Sequence, residues 1–514
     1  MYFLDMLIIV SPLFIEKRIK KVMTEILPNF LKNRASLTPD REAIVYKNER
    51  LTFKELYERA YHHAGILTAF GIKDKDYVGF LVKNDLETVI HLYAMQIIGA
   101  KAVLLNNRLT AKEMAYQLTD ANASYLITEE NFQEQAIQLE EELAISIFYK
   151  EKLEDNPYIE PIEKKQLYLD DTCTIMYTSG TTGLPKGVIQ SYGNHWWSAV
   201  GNTLNAGLYE KDTWLCAVPL FHISGYSILM RSIIYGMKIV LHDFFDEKKV
   251  LADLWKEKVT IISVVTTMLQ RIEHVVSDRF PDYFRYMLLG GGPATIDLLT
   301  RCKKKEIPVY YSYGMTETSS QIVTLSPEDS IRKIGSAGKP LFPAQLKIVN
   351  QSGETLEPNE VGEITVCGPN VSKGYLNKDN HLKDGWFFTG DIGYKDSEGF
   401  LYVLDRRSDL IISGGENVYP AEVEAVLTEM EGIREAAVIG IPNNKWGQVP
   451  IAFVAKEKSM LTEQQIINNC ENSLAKYKIP KKIFFVTEVP RNASGKIVRR
   501  ELRKWVEEQA DFSL

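Results

Sequence analysis

Short apolar runs alternate with amphipathic segments through most of the chain. Residues 78–82 and 102–105 are apolar runs of strand length bounded by polar residues. Between them, residues 87–99 place apolar positions at helical spacing, and Thr52 with Glu55 matches a capping box at the start of another helix. Strand-like runs recur at 214–218, 238–241, 261–265 and 286–289. Strands separated by helices predict a parallel sheet with right-handed crossovers.

The pattern changes twice in the second half of the chain. After about residue 335, short strands such as 344–349 alternate with turns rich in Gly, Asp and Asn, which predicts a small β-rich subdomain. A second change near 405–409 precedes strands at 436–441 and 450–455, followed by helices and one more strand. This order predicts a compact α+β unit at the C-terminus.

The predicted fold class is therefore α/β, in two domains. A large N-terminal domain of α/β subdomains plus the small β-rich subdomain occupies residues 23–407. An α+β C-terminal domain occupies residues 408–514, and Ser408 is the candidate hinge between the two.

Residues 1–22 are interpreted as an N-terminal extension outside the globular pattern. The first fifteen residues are mostly apolar but contain Asp5 and Pro12, and the run is too short for a confident membrane span. Basic residues follow the apolar run, whereas a signal peptide carries them before it. Met23 is an alternative start, and a membrane anchor is the alternative interpretation. No stable membrane insertion is expected.

Composition and charge exclude several classes of function. The 514 residues are 45% hydrophobic and 25% charged, as in ordinary globular proteins. A net charge of −7, with both signs interspersed, gives no electrostatic case for nucleic acid. The five cysteines are far apart and never in C-x-x-C, which predicts a cytoplasmic protein without disulfides or a zinc site. The His62–His63 pair is interpreted as lying on the surface. The oligomeric state could be a monomer or a homo-oligomer.

Residues 178–187 (TSGTTGLPKG) are the strongest chemical signal in the chain. They combine glycines that allow close backbone approach to an anion, hydroxyl donors and one lysine. This pattern predicts a loop around a polyphosphate, although no Walker A motif can be laid over it. The alternative is a polar surface loop. The residues concerned are Thr178, Ser179, Gly180, Thr181, Thr182, Gly183 and Lys186.

Four further positions carry weaker signals. Glu317 beside a phosphate loop suggests a Mg²⁺ ligand, since Mg²⁺ uses one or two carboxylates with phosphate oxygens. Asp391, after an aromatic strand, could hold a ribose diol, and Arg406 at the domain boundary could bind phosphate or ribose. Lys496 lies on a glycine-containing turn near the C-terminus. Read singly, these residues could equally be a helix cap, a turn aspartate and solvated cations.

Together and in order, these stretches resemble the adenylate-forming superfamily, which includes acyl-CoA synthetases, luciferases and adenylation domains. The resemblance rests on TSGTTGLPKG, YGMTET (313–318), FFTGD (387–391), DRRSDLIISGGENVYP (405–420) and NASGKIVRR (492–500). Finer stretches, including 218–225, 261–269 and 319–327, resemble the family of 2-succinylbenzoate–CoA ligases of menaquinone biosynthesis. The alternatives are a fatty-acyl or aryl–CoA ligase of the same superfamily and, in another class, a non-catalytic nucleotide-binding protein.

The resemblance implies small-molecule substrates, with ATP, Mg²⁺ and CoA, and two half-reactions: a carboxylate attacks the α-phosphate of ATP, and the thiol of CoA then displaces AMP. It implies that Thr316 meets the α-phosphate, Glu317 holds Mg²⁺, and Lys496 bridges the carboxylate and the α-phosphate. Asp391 and Arg406 would hold the ribose. The implied adenine and acyl contacts are Gly290, Gly291, Gly292, Ser312, Tyr313, Gly314 and Met315.

The family also rotates a mobile C-terminal domain between the half-reactions. That rotation would withdraw Lys496 and bring Gly414, Gly415 and Glu416 to the site as the CoA-binding residues, although the hinge position is an uncommon Ser408. The expected acyl-pocket residues are His222, Ser224, Gly225, Thr266 and Thr267, with Arg231 as a further counter-ion for the second carboxylate of the substrate. A buried histidine satisfied by the backbone would look the same in sequence.

Overall fold

The structure is a computed structural model. It describes residues 25–154, 156–179, 184–276, 279–291, 294, 296–326, 328–330, 332–333, 335–378, 382–405, 410–456, 461–491 and 497–508. No helix among these residues is both long enough and apolar enough to cross a membrane. The N-terminal extension lies outside the described residues.

The N-terminal part alternates strands and helices along the chain. Its strands are β1 (Ile26–Pro28), β2 (Glu42–Tyr46), β3 (Glu49–Thr52), β4 (Tyr77–Leu81), β5 (Lys101–Leu104), β6 (Tyr125–Thr128), β7 (Ser146–Tyr149), β8 (Gln166–Tyr168), β9 (Thr172–Ser179), β10 (Pro185–Ser191), β11 (Thr213–Cys216), β12 (Lys238–Leu241), β13 (Ile261–Val265), β14 (Tyr286–Gly290), β15 (Val309–Met315), β16 (Ser320–Leu325), β17 (Lys339–Pro340), β18 (Gln345–Val349), β19 (Gly362–Cys367), β20 (Leu382–Lys383), β21 (Trp386–Lys395) and β22 (Leu401–Asp405). Its α-helices are α1 (Phe30–Leu37), α2 (Phe53–Ala69), α3 (Leu86–Ile98), α4 (Ala111–Asp120), α5 (Gln133–Glu142), α6 (Tyr192–Ala206), α7 (Ile223–Tyr235), α8 (Glu247–Lys256), α9 (Thr266–Val275) and α10 (Ile296–Lys304).

Two largely parallel sheets form the α/β body, as the strand–helix alternation predicts. One has the order β10-β9-β5-β4-β6-β7, with β10 alone antiparallel to its neighbour. The other has the order β17-β16-β15-β14-β13-β11-β12-β2-β3, with parallel pairing from β15 to β2. The predicted capping box is confirmed, since Thr52 caps α2 with Glu55.

One hydrophobic core joins the two sheets through α3. Every residue of this helix except Glu87 is buried, and the core around it draws side chains from β4 and β5 in one sheet and β11 and β12 in the other. A helix that is apolar on nearly all sides is expected when it lies between two packed layers. The two sheets therefore hold fixed positions relative to each other.

The β-rich subdomain is confirmed. Strands β18, β19, β21 and β20 form an antiparallel sheet with β22 paired to β21. Its core includes Ile348, Ile364 and Val366 and continues into Tyr313 and Val323 of β15 and β16. This subdomain is thus packed onto the edge of the larger sheet.

The C-terminal part is an α+β unit, as predicted. Its elements are β23 (Ile411–Ser413), β24 (Glu416–Val418), α11 (Pro420–Thr428), β25 (Ile433–Asn443), β26 (Gly447–Lys456), α12 (Glu463–Glu471), β27 (Ile483–Val486) and α13 (Arg499–Glu507). The strand order is β24-β23-β26-β25, with β27 parallel to β26. Apolar residues cover both faces of this sheet, so the unit has its own core.

Candidate active site

A cavity of about 330 Å³ lies where the two sheets, the β-rich subdomain and the C-terminal unit meet. The ends of β13, β14 and β15 open into it, because the carboxyl ends of parallel strands share one edge of the sheet. Residues of the β23–β24 hairpin and of the segment after α12 close the opposite side. The cavity is thus lined by both predicted domains.

Two residues of the predicted phosphate loop line this cavity. Thr178 lies at the end of β9 and Lys186 at the start of β10, and the two are register partners across the antiparallel pair. The lysine ammonium lies 5.4 Å from the ring centroid of Tyr375. The predicted residues Gly180, Thr181, Thr182 and Gly183, and the side chain of Ser179, lie outside the described residues.

Small residues at the ends of β14 and β15 leave room for a flat group. A Cβ on Gly290 would lie 3.2 Å from the hydroxyl of Ser312, and Gly291 has φ +77°, which favours glycine. The Ser312 hydroxyl donates to the carbonyl of Leu289 at 2.8 Å. Gly290, Gly291, Ser312, Gly314 and Met315 all line the cavity, whereas Gly292 lies outside the described residues.

Tyr313 faces away from the cavity, although the resemblance implied that it contacts adenine. It is not among the cavity-lining residues, and its ring lies in the core beneath the β-rich subdomain. Its hydroxyl donates to Oδ2 of Asp391 at 2.8 Å. Asp391 does line the cavity and is largely buried. The tyrosine therefore orients the predicted ribose carboxylate from behind.

Glu317 presents a buried carboxylate beside the phosphate-loop residues. It lines the cavity next to Thr316 and is 9% exposed. The hydroxyl of Tyr375 donates to its Oε1 at 2.8 Å. Sequence reasoning missed Tyr375, because nothing in its local pattern marks it. A buried carboxylate next to a phosphate loop is a suitable Mg²⁺ ligand.

The structure brings part of the predicted acyl pocket to the cavity. His222 and Ser224 line the cavity, but Gly225, Thr266 and Thr267 do not. A Cβ on Gly225 would lie 2.2 Å from the carbonyl oxygen of Pro219, so this glycine allows a close turn into α7. The segment carrying the two threonines lines the cavity with other residues, namely Val265 and Met268.

Arg231 is a fully buried cation at the cavity. It is 1% exposed, donates to the side-chain oxygen of Gln321 at 2.9 Å and lies 5.2 Å from the ring centroid of Trp214. Burial lowers the pKa of this guanidinium. Among the described residues no carboxylate lies within 4.0 Å of it, and its Nε has no hydrogen-bond partner there. Such a charge calls for an anionic ligand.

The β23–β24 hairpin brings Gly414, Gly415 and Glu416 to the cavity, where the sequence placed the CoA site. Both glycines have positive φ, +61° and +88°, which favours glycine. Glu416 is buried and accepts from His222 Nε2 at 3.1 Å and from Asn106 Nδ2 at 2.9 Å. Its Oε1 lies 3.0 Å from Arg108 Nη1.

The charge of Glu416 is stabilised despite its burial. Burial opposes ionisation, but His222, Arg108 and Asn106 outweigh it and hold the pKa of the Glu416 carboxyl below its ordinary value. The hairpin is thus fixed to the N-terminal domain by an ionised carboxylate.

A buried lysine forms a second bond between the domains. Lys478 is 4% exposed, lines the cavity, and contacts Glu113 of α4 at 2.6 Å and Glu422 of α11 at 2.7 Å. Asn106, Arg108 and Lys478 were not predicted from sequence, since their partners lie between 56 and more than 300 positions away. Arg406, Ser408 and Lys496 were predicted, but they lie outside the described residues.

Comparisons with known proteins agree with this geometry. The family model described as AMP-binding enzyme matches residues 31–376, and that of the AMP-binding enzyme C-terminal domain matches residues 422–496. Two relatives are the 2-succinylbenzoate–CoA ligases of Geobacillus kaustophilus, 52% identical, and Bacillus licheniformis, 51% identical. The matches cover 93% and 92% of this chain and 98% and 99% of the relatives.

Two solved structures of o-succinylbenzoate CoA synthetase (MenE) from Bacillus subtilis are similar, each with 46% sequence identity. A double mutant bound to the product analogue OSB-NCoA has a TM-score of 0.90, covering 93% of this chain and 99% of that chain. The complex with the acyl-adenylate intermediate OSB-AMP has a TM-score of 0.74, covering 93% and 98%.

Proposed function

This chain belongs to the AMP-binding enzyme family, and we propose that it is an ATP-dependent acid–CoA ligase acting on 2-succinylbenzoate in menaquinone biosynthesis. The products would be 2-succinylbenzoyl-CoA, AMP and pyrophosphate, formed through an acyl-adenylate. One observation carries the proposal: motif residues of both domains line a single cavity that also contains a buried guanidinium without a carboxylate partner among the described residues.

The first half-reaction joins two anions, the carboxylate of the acid and the α-phosphate of ATP. Catalysis is therefore mainly charge neutralisation and positioning. Thr178 and Lys186 would bind the outer phosphates, and Thr316 the α-phosphate, since all three line the cavity. Asp391, oriented by Tyr313, would bind the ribose hydroxyls.

Glu317 would hold the Mg²⁺ that accompanies ATP. The bound ion neutralises phosphate charge in the transition state. The residues fit this role, because the carboxylate is buried, lines the cavity and is oriented by the Tyr375 hydroxyl. Adenine would lie against Gly290, Gly291 and Ser312, where side chains are small or absent.

Arg231 would bind the second carboxylate of 2-succinylbenzoate. The guanidinium donates to the neutral side chains of Gln321 and Ser198, and these leave its charge available for a ligand. Val265 and Met268 supply apolar surface for the aromatic ring. A mono-acid without this second carboxylate would leave the guanidinium unpaired, so the site should discriminate strongly against it.

The second half-reaction transfers the acyl group to the thiol of CoA. The glycines of the β23–β24 hairpin would form the entry for the pantetheine arm, with Glu416 and His222 at its inner end. The two Bacillus subtilis structures support this assignment. The TM-score of this chain is 0.90 with the complex of the CoA product analogue and 0.74 with that of the acyl-adenylate, so its arrangement is more similar to the former.

A rotation of the C-terminal domain about Ser408 would link the two half-reactions. Lys496 would reach the α-phosphate in the other orientation and leave when Glu416 enters. Hinges of this kind need only a few residues that absorb a backbone change.

The two domains would comprise residues 23–407 and 408–514. We place the enzyme in the cytoplasm, as a monomer or a homo-oligomer.

A pyrophosphate-release assay tests the substrate. The rate with 2-succinylbenzoate should exceed the rates with benzoate, coumarate and octanoate. A faster rate with octanoate would overturn the assignment in favour of a fatty-acyl–CoA ligase. Binding of ATP without any acyl-adenylate would instead indicate a non-catalytic nucleotide-binding protein.

A further inference from the structure

Two histidines and two glutamates cluster away from the cavity, where α2 packs against α3. His63 of α2, with Glu87 and His91 of α3, offer ligand atoms that all lie within 4.8 Å of one another. Glu154, after β7, approaches His63 to 3.2 Å. The interpretation of His63 as a surface residue is wrong, because α3 covers its ring and leaves the side chain 4% exposed. None of these four residues lines the cavity.

His91 is held in the tautomer that a metal ligand needs. Its Nδ1 lies 2.7 Å from the carbonyl oxygen of Glu87, one turn earlier in the helix. A carbonyl only accepts, so Nδ1 carries the hydrogen and Nε2 carries the lone pair. This Nε2 is buried and has no hydrogen-bond partner among the described residues. A backbone carbonyl bound to the far nitrogen is the usual support for a metal-binding histidine.

The spacing around His63 suits a zinc ion. Its Nε2 lies 3.2 Å from Glu154 Oε2 and 3.6 Å from Glu87 Oε2. With bonds of about 2.0–2.1 Å, the ligand atoms of a tetrahedral zinc site are about 3.4 Å apart. The observed separations lie on either side of that value. Side-chain movements would therefore suffice to close the ligands around an ion.

The ligand types of the cluster also favour a cation. His63 and His91 are buried, at 3% and 0% exposed. Glu87 and Glu154 supply oxygen atoms, and Arg59 contacts Oε1 of Glu87 while Oε2 faces His63. Two imidazoles with two glutamate side chains form a ligand set typical of Zn²⁺ rather than of Mg²⁺.

We propose that His63, Glu87 and His91, completed by Glu154, form a structural zinc site that joins α2, α3 and the segment after β7. The ion is distinct from the Mg²⁺ that Glu317 would hold, since the two ligand sets share no residue. Binding would stabilise the folded chain, because the unfolded chain does not hold these ligands together.

Zinc content of matched variants tests this site. The full-length protein is stripped with EDTA and equilibrated by dialysis against ZnCl₂, and bound zinc is measured by mass spectrometry. Wild type should retain one more zinc per chain than Glu87→Gln or His63→Gln. His62→Gln is the control, since His62 is on the same helix with a side chain 48% exposed and should keep the zinc. Equal zinc in all four proteins, or none in wild type, would overturn the proposal.

Two further measurements keep the result interpretable if a buried variant fails to fold. Glu154→Gln changes a side chain that is 67% exposed and should leave the fold intact. We expect it to raise the Kd for zinc by about 10-fold or more, and an unchanged Kd would count against the site. Cobalt added to wild type should give the visible absorption of tetrahedral N/O ligation, and its loss in His63→Gln but not His62→Gln would assign the ligands.

Discussion

Glu416 of the C-terminal domain accepts a hydrogen bond from His222 of the N-terminal domain, with Nε2 and Oε2 3.1 Å apart. Both residues line the cavity, and Asn106 and Arg108 contact the same carboxylate. The contact thus fixes the β23–β24 hairpin at the site in the orientation assigned to thioester formation.

Replacing Glu416 should separate the two half-reactions. In Glu416→Gln the ion pair with Arg108 is lost, so the docked hairpin is weakened while the phosphate-loop residues are untouched. We expect single-turnover formation of the acyl-adenylate to stay within about twofold, and its conversion by CoA to fall by roughly 10-fold or more, as for loss of a buried charge-assisted bond. Rapid-quench measurement of both steps checks this, and an equal loss in both steps would contradict it.

The same carboxylate should make docking sensitive to acid. Its folded-state pKa lies below the ordinary value, so its stabilising contribution is present above the unfolded pKa of about 4.3 and is lost as the pH falls through the folded value. The difference in Tm between wild type and Glu416→Gln should therefore be largest above about pH 5 and shrink in stronger acid. Differential scanning fluorimetry across this range measures it. A difference that grows on acidification would refute the assignment.

Arg231→Met tests substrate recognition at the buried cation. The variant removes the partner proposed for the second carboxylate, and truncating a buried charge pair costs about 2–5 kcal/mol, or roughly 30- to 4000-fold in kcat/KM for 2-succinylbenzoate. Activity with benzoate should be unchanged or higher, since its ring has no second carboxylate. Folding stability should not fall, because an apolar side chain replaces a desolvated charge of similar length. Equal losses with both acids would mean a structural role.

Lys478→Met should destabilise the interdomain contact. The variant leaves Glu113 and Glu422 buried without their shared cation, and breaking a buried pair costs about 3–5 kcal/mol. Lys482→Met is a matched control, because Lys482 is near in sequence but has a side chain 40% exposed in its pair with Glu463. Urea unfolding should show a large loss for the first variant and at most about 1 kcal/mol for the second. Similar losses would argue against the buried triad.

Lys496→Ala should slow adenylation while sparing the thioester step. Loss of a donor to the developing charge costs about 3–4 kcal/mol, by analogy with oxyanion donors. The readout is pyrophosphate release, with conversion of supplied acyl-adenylate by CoA as the internal control. Adenylate synthesis at full rate would remove the basis of the proposed first half-reaction.

The local elements followed from periodicity. The strand expected at 78–82 is Tyr77–Leu81, the helix expected at 87–99 is Leu86–Ile98, and the strand expected at 261–265 is Ile261–Val265. The spacing of apolar residues within a short stretch of the chain determines such segments, so the sequence alone could predict them.

Residues that line the cavity could be identified from the sequence where they belong to a motif. They were identified less well where the role depends on the direction of the side chain. The resemblance implied that both Ser312 and Tyr313 contact adenine, but successive side chains of a strand point to opposite faces. Ser312 therefore reaches the cavity and Tyr313 enters the core. The same uncertainty affected Thr266 and Thr267, whose neighbours Val265 and Met268 line the cavity instead.

The amino-acid sequence by itself determined the alternation of strands and helices, the two changes of pattern in the second half of the chain and the motifs that indicate adenylate chemistry. Each of these features depends on residues that are close together along the chain. Only the tertiary structure decided that Arg231 is a buried cation at the cavity, that Glu416 meets His222 and that His63 meets His91. Those relationships join residues tens to hundreds of positions apart, and their energies depend on burial, which no local pattern reports.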